Sequence, residues 1–132
     1  MQFEVFTLFP EVFVPYLDAS ILQRARQRGL VTVNLYNIRD YTTDRHHVCD
    51  DLPYGGGGGM VMKPEPIFTS VEAVLGTPPA CPLVLLSPQG RTFTHKVAEE
   101  LVQLPRLGLL CGRYEGVDER VVCHLVTDEI SM

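Results

Sequence analysis

The chain has 132 residues, a formal net charge of −5, 45% hydrophobic residues and 20% charged residues. This length predicts a single domain, and this composition excludes intrinsically disordered and fibrous proteins. No apolar run approaches the roughly 20 residues of a membrane-spanning helix, and the amino end, which includes Glu4, lacks the cationic stretch of a signal peptide. We therefore expect a cytoplasmic protein without a membrane partner.

The acidic charge balance counts against nonspecific nucleic-acid binding, because cations that neutralise phosphates supply most of that affinity. An acidic protein can still carry a local basic surface. Arg24, Arg26 and Arg28 form one cluster, for which a solvated helix surface is the simpler interpretation, and Arg39 and Arg45 lie in another. None of the four cysteines forms a Cys-x-x-Cys pair, so we expect reduced thiols.

The amino-terminal part of the chain predicts a strand, a short helical region and a second strand. The β-branched and aromatic run Phe3 to Leu8 is typical of a strand. One turn of helix is expected from Glu11, followed by a second helix with Ser20 as its N-cap and Gly29 just past its end. Residues 31–36 then alternate as a second strand.

A long connection without periodicity follows, from Ile38 to Met60, and it contains five consecutive glycines, Gly55 to Gly59. Connections longer than about 12–15 residues are usually functional or disordered. Glycine reaches positive φ freely and lets a ligand approach the backbone. A flexible linker is the alternative, but the flanking aromatic and charged residues favour a binding loop.

The rest of the chain alternates predicted helices with short apolar strands, and it ends in a further strand. In chain order these are a helix from Pro64 to Gly76, a strand from Leu83 to Leu86, a helix capped by Thr94 that ends at Leu104, a strand from Leu107 to Cys111 and a helix from Asp118 to His124. Continuous apolar strands are buried on both faces. The order predicts an α/β fold with a mostly parallel sheet flanked by helices.

Polar stretches of sequence follow two of the predicted strands. In open parallel sheets, ligands bind beyond the carboxyl ends of the strands, where these stretches lie. The first stretch is Ser87 to Gly90, for which an ordinary strand-to-helix turn remains an alternative. The second is Gly112 to Arg120, whose glycines, aromatic ring and carboxylates suit a small ligand or a metal. The chain lacks the dinucleotide-binding and phosphate-loop glycine motifs and the nucleophile elbow of hydrolases.

Eight strings distributed along the whole chain carry a family resemblance: Met1 through Glu11, Arg39 to Thr42, Asp44 to His46, Asp50-Asp51, Pro53 to Gly57, Gly59-Met60, Leu86 to Gly90 and Cys111 to Arg120. With these strings the chain resembles the bacterial tRNA (guanine-N1)-methyltransferases of the SPOUT class. The resemblance implies a trefoil-knotted α/β domain, a homodimer and a role in tRNA modification. It also implies methyl transfer from S-adenosyl-L-methionine to N1 of the guanosine next to the anticodon.

The resemblance also implies roles for individual residues. The donor-binding positions are Leu86, Ser87, Pro88, Gln89, Gly112, Tyr114, Glu115, Ser131 and Met132, and Glu115 is the position associated with magnesium. The positions beside the flipped guanine or the tRNA are Arg45, His46, Asp50, Tyr54, Gly55, Gly56, Gly57, Gly58 and Gly59.

The family pattern continues past Met132 with a segment that completes the donor pocket and the knot, a linker carrying the catalytic arginine and aspartate, and a helical tRNA-binding domain. Residues 1–132 are therefore expected to be an amino-terminal portion with an incomplete knot, without its catalytic residues and without useful turnover alone. Two other readings stay open. One is a noncatalytic module that binds a nucleotide or anion through the glycine loop, and the other is a dimerisation or structural domain.

Overall fold

The computed structural model describes residues 1–132, which form seven strands and five α-helices. The strands are β1 (Gln2–Thr7), β2 (Thr32–Asn37), β3 (Asp50–Asp51), β4 (Val61–Met62), β5 (Leu83–Thr92), β6 (Arg106–Cys111) and β7 (Asp128–Ser131). The α-helices are α1 (Val14–Leu17), α2 (Ser20–Gln27), α3 (Pro64–Leu75), α4 (His95–Leu101) and α5 (Glu119–His124). Short 3-10 helices lie at Pro10–Val12 and Ile38–Tyr41.

Five strands form one parallel sheet in the order β2-β1-β6-β5-β7. At its centre, Val5 of β1 pairs with Leu35 of β2 on one side and with Leu109 of β6 on the other. Strands β3 and β4 form a separate antiparallel ribbon. The predicted α/β fold with a mostly parallel sheet is confirmed.

The sheet is apolar on both faces because its inner strands carry continuous apolar runs. Alternate residues of β5 belong to different core clusters, with Leu83 and Leu85 in the larger and Val84 in the smaller. Helices α3 and α5 contribute to the larger cluster, and Val97 of α4 packs in the smaller one. None of the α-helices is both long and apolar enough to span a bilayer.

Local signals explain several helix ends. Helix α3 begins at Pro64, whose missing N–H is not needed there, and its last residue Leu75 is followed by the C-cap Gly76, which has a φ of 84°. Thr94 accepts a hydrogen bond from the Val97 amide at 3.3 Å and caps α4 as predicted.

Other helix ends differ from the sequence-based expectation. The prediction that Ser20 is an N-cap is wrong, because Ala19 takes that place and Ser20 lies inside α2 with a φ of 49°. Gly29, just past the end of α2 as predicted, has a φ of 70°. Helix α4 is shorter than predicted and ends at Leu101.

Candidate functional site

The first polar stretch is a wide bulge within β5. Leu86 and Arg91 of β5 both pair with Ile130 of β7, so the chain between them is looped out before the strand resumes. A Cβ atom on Gly90 would lie 2.4 Å from the carbonyl carbon of Glu129 and from the amide nitrogen of Ile130. This close approach of the two backbones explains why a residue without a side chain occupies position 90. The alternative of an ordinary strand-to-helix turn is wrong, since β5 continues to Thr92.

The second polar stretch follows β6 and has an unusual backbone. Tyr114 has a φ of 61°, and Gly116 has a φ of 143°. A non-glycine residue with positive φ stores of order 1–3 kcal/mol of strain, and such residues cluster at ligand sites. The end of the stretch is ordinary helix chemistry, in which Asp118 caps α5 by accepting a hydrogen bond from the Arg120 amide at 2.9 Å.

The glycine loop forms the tip of the β3–β4 ribbon, and the ribbon is joined to the second polar stretch by three backbone hydrogen bonds. The Glu115 amide donates to Met60 at 2.9 Å, the Met62 amide donates to Gly116 at 2.9 Å, and the Asp118 amide donates to Met62 at 3.2 Å.

The last glycine of the loop makes the closest contact with that stretch. Gly59 has a φ of 97°, and a Cβ atom there would lie 2.5 Å from Cγ of Glu115. The tip itself is open, because no atom lies within 4 Å of an added Cβ at Gly55, Gly56, Gly57 or Gly58.

A cavity of about 380 Å³ lies between the two polar stretches, at the carboxyl ends of the neighbouring strands β5 and β6. Its volume falls in the range of about 300–1,000 Å³ that is usual for small-molecule sites. Seven of the nine predicted donor-binding residues line it: Leu86, Ser87, Pro88, Gln89, Gly112, Tyr114 and Glu115. Their role in donor binding stays a prediction.

Three further charged residues line the cavity: Arg113, Glu119 from the first turn of α5, and Glu129 from β7. Arg113 and Glu119 belong to the second predicted stretch but were not named individually as site residues, and Glu129 lies outside both stretches. Together with Glu115 they give the cavity three carboxylates and one guanidinium, and hence an excess of negative charge. The sequence offered one signal for Glu129, namely the polar–apolar–polar order of Glu129, Ile130 and Ser131. Because side chains alternate along a strand, Glu129 lies on the face of the sheet opposite to that of the buried Ile130.

Ser131 and Met132 do not line this cavity. Ser131 pairs with Thr92 and accepts a hydrogen bond from the Phe93 amide at 2.7 Å, so its backbone belongs to the sheet. Met132 is 88% exposed and borders a separate apolar groove of about 430 Å³ on the face of the sheet that carries Phe3 and Leu107.

None of the predicted substrate-binding residues lines the cavity, and this includes the glycines of the loop. Asp50 pairs with Met62 in the ribbon. Tyr54 is 87% exposed and lines a separate shallow pocket. Arg45 and His46 are exposed, and the turn that carries them is held by the Asp44 carboxylate. Hydrogen bonds from the backbone amides of Val48 and His46 lower the pKa of Asp44.

A magnesium ion at Glu115 stays a prediction. No group of three or more histidine, cysteine, aspartate or glutamate side chains is arranged to hold a metal. We therefore derive no step through a metal at this position.

A parallel open sheet with a polar cavity at the carboxyl ends of adjacent strands is typical of domains that bind a small ligand at their strand ends. The family follows from comparison with known proteins. The chain belongs to the tRNA (Guanine-1)-methyltransferase TrmD family, whose model matches residues 1–132. The family predicted from the sequence is thus confirmed.

Similar proteins are longer than this chain. A tRNA (guanine-N(1)-)-methyltransferase of Dehalococcoides mccartyi (strain ATCC BAA-2266 / KCTC 15142 / 195) is 53% identical over all of this chain and 54% of its own length. One from Thermomicrobium roseum is 50% identical over all of this chain and 50% of its own. The chain spans about half the length of these curated relatives.

The fold is also similar to a solved structure. The crystal structure of tRNA (m1G37) methyltransferase from Aquifex aeolicus matches with a TM-score of 0.89 at 36% identity, over 100% of this chain and 59% of that chain. This match confirms the SPOUT-type fold. The trefoil knot and its completeness stay predictions.

Proposed function

We propose that the cavity holds S-adenosyl-L-methionine, and that the chain takes part in transferring its methyl group to N1 of the guanosine next to the anticodon of tRNA. One observation carries the proposal. Two polar strand ends line a single cavity, and the ribbon of the glycine loop is hydrogen-bonded to the second of them, in a chain whose whole length matches a tRNA methyltransferase family.

The charge of the cavity supports a cationic ligand. The donor is a net cation, because its sulfonium and ammonium groups outnumber its one carboxylate, and Glu115, Glu119 and Glu129 line the cavity. Two opposite charges 4 Å apart attract by about 4 kcal/mol at the effective dielectric constant typical near a protein surface. The acidic lining thus favours the methyl donor over an anionic nucleotide.

Neutral groups of the cavity suit the nucleoside part of the donor. The ring of Tyr114 offers an aromatic face for stacking. The side chain of Gln89 carries both hydrogen-bond donors and an acceptor. The Ser87 hydroxyl accepts a hydrogen bond from the backbone amide of Gln89 at 3.2 Å. This internal bond holds the bulge in shape before a ligand arrives.

The target base has its own requirements. Guanine N1 carries a proton, so a base must remove it while N1 is held in line with the methyl group. Extrusion of the guanosine from its stack costs a few kcal/mol, which contacts in a pocket must offset. In this proposal the open tip of the glycine loop and Asp50 receive the extruded base, and the general base lies outside residues 1–132.

Calorimetry tests donor binding directly. We expect the 132-residue chain to bind S-adenosyl-L-methionine and its demethylated product at one saturable site. Glu115→Gln should weaken binding of the cationic donor about tenfold, which corresponds to about 1.4 kcal/mol. The matched control is Glu72→Gln, an exposed carboxylate of α3 that does not line the cavity and should leave the affinity unchanged.

Two results would contradict this proposal. Failure of the chain to bind either nucleoside would remove the donor site. A preference for nucleoside phosphates would favour the anion-binding module instead. Methyl transfer from labelled donor to tRNA, compared with that of a full-length relative, measures how much turnover these residues support. Little or none is expected from the chain alone, and the homodimer also stays a prediction.

A further inference from the structure

Two arginines share one aromatic ring at the rim of the cavity. The guanidinium carbon of Arg39 lies 5.7 Å from the centre of the Phe9 ring, and that of Arg113 lies 5.2 Å from it. Both distances are within the roughly 6 Å of a cation–π contact. We call Phe9, Arg39 and Arg113 the arginine–phenylalanine cluster.

The sheet order brings the cluster together. Phe9 follows β1, Arg39 follows β2 and Arg113 follows β6, and these strands are neighbours in the order β2-β1-β6. Because the strands are parallel, their carboxyl ends share one edge of the sheet. Arg113 also lines the cavity. Through Arg113 the cluster adjoins the cavity, and we call the side on which the cluster lies the mouth of the cavity.

Neither arginine of the cluster has a carboxylate within salt-bridge distance. Four arginines form salt bridges within 4.0 Å, namely Arg26, Arg91, Arg106 and Arg120. Arg39 and Arg113 form none, although Arg120, a few residues past Arg113, pairs with Asp118. The ring orients both guanidinium groups, and their N–H groups stay available to an anion from outside.

We propose that Arg39 and Arg113, oriented by Phe9, bind the phosphodiester backbone of RNA at the mouth of the cavity. Guanidinium groups match phosphate oxygens with paired hydrogen bonds. Orientation by the ring lowers the side-chain entropy that binding would otherwise lose. That this RNA is tRNA rests on the proposed function, while the anion preference follows from the cluster itself.

The charges of the cavity and of its mouth favour different ligands. Glu115, Glu119 and Glu129 make the cavity suitable for a cationic donor, whereas the two unpaired arginines make its mouth suitable for a polyanion. Donor and RNA would then meet at the boundary between the two. A chain with a net charge of −5 thereby acquires a local phosphate site.

The test measures RNA affinity against salt concentration. Fluorescence anisotropy would follow binding of the chain to a labelled RNA hairpin that carries an anticodon-type loop with guanosine. Each phosphate contact contributes about −0.7 to −0.9 to the slope of log K against log salt. The double variant Arg39→Gln/Arg113→Gln should therefore flatten the slope by about one to two and weaken loops with and without guanosine alike.

Matched variants separate phosphate binding from a purely structural role. Arg24→Gln/Arg28→Gln removes two exposed arginines of the α2 region that also lack carboxylate partners, and it should leave the slope unchanged. Arg39→Lys/Arg113→Lys keeps both charges but loses paired hydrogen bonding, so the slope should persist while affinity falls a few-fold. Phe9→Leu should weaken RNA binding although both arginines remain.

The outcomes are decisive in each arm. The proposal is overturned if the parent chain binds no RNA, or if the folded glutamine variant keeps the parent's affinity and slope. If the glutamine variant unfolds, the lysine variant decides, and parental affinity there overturns the paired contact. Saturable binding of inorganic phosphate at the two arginines, without arginine-dependent RNA binding, would reassign the cluster to a small anion.

Donor calorimetry on the unaltered chain distinguishes this failure from failure of the proposed function. Donor binding without arginine-dependent RNA binding would remove only the phosphate site. Arginine-dependent RNA binding without donor binding would remove only the methyltransferase proposal.

Discussion

Replacement of Gly90 by alanine tests whether β7 closes directly against the bulge of β5. The new Cβ would lie 2.4 Å from two backbone atoms of β7 and 2.6 Å from the Glu129 carbonyl oxygen, whereas ordinary contacts begin near 3.4 Å. The strand or the bulge must therefore move by about 1 Å. Backbone atoms cannot rotate away as the end of a side chain can, so relief requires the β5–β7 pairing to shift.

The expected size of the effect follows from two opposing terms. Overpacking of a close contact costs typically about 1–3 kcal/mol, and this site belongs near the upper end because only backbone can yield. Replacing glycine stabilises by about 0.4–1 kcal/mol through the unfolded chain. Gly90→Ala should thus lower the free energy of unfolding by about 2 kcal/mol, which for a domain of this size lowers the Tm by roughly 6–8 °C.

Urea denaturation followed by circular dichroism measures the stability change, and calorimetry measures the affinity for S-adenosyl-L-methionine. Donor affinity should fall too, because Gln89 and Glu129 line the cavity on either side of the contact. The control is Gly57→Ala, at an exposed glycine with no atom within 4 Å of an added Cβ, and it should stay within about 0.5 kcal/mol of the parent. A Gly90→Ala protein as stable as the parent would refute this account of the bulge.

Two further predictions concern Glu115 and Glu4. Gly59→Ala should displace the Glu115 side chain from its place against the loop, and it should weaken donor binding more than Gly57→Ala does, as measured by calorimetry on the two variants. If their affinities are equal, the loop and Glu115 are not coupled. Glu4 is fully buried and accepts hydrogen bonds from Tyr36, Asn34, Arg106 and Gln2. Burial raises the pKa of Glu4, but those hydrogen bonds outweigh it and hold the pKa below its ordinary 4.5. Since the folded pKa lies below the unfolded one, this stabilisation is present above pH 4.5 and is lost as the pH falls through the folded pKa. Glu4→Gln should cost about 1.5–3 kcal/mol at neutral pH, the usual contribution of hydrogen bonds to a charged group, and should flatten the acid side of the stability profile obtained by denaturation at several pH values. A variant with the parental acid dependence would exclude this role.

Much of the architecture could be predicted because the signals are local. The apolar run Leu83 to Leu86, the proline at the start of α3 and the glycine at its end act within a few residues. The prediction for Ser20 failed because it relied on a local capping preference alone. Ala19 has the extended conformation of an N-cap, and Ser20 is the first residue of the helix. A capping preference of about 1 kcal/mol is easily outweighed by the path that the chain must follow.

By itself, the sequence determined the fold class, the family and the two strand ends that line the cavity. These features could be predicted because apolar periodicity, turn residues and the family's sequence motifs each involve residues that are close together along the chain. Only the tertiary structure decided which distant residues meet. The contact of Gly59 with Glu115, the closure of Gly90 on β7 and the pairing of Arg39 with Arg113 across Phe9 all depend on strand order. Strand order is set by burying both faces of one sheet at once, and no local preference encodes it.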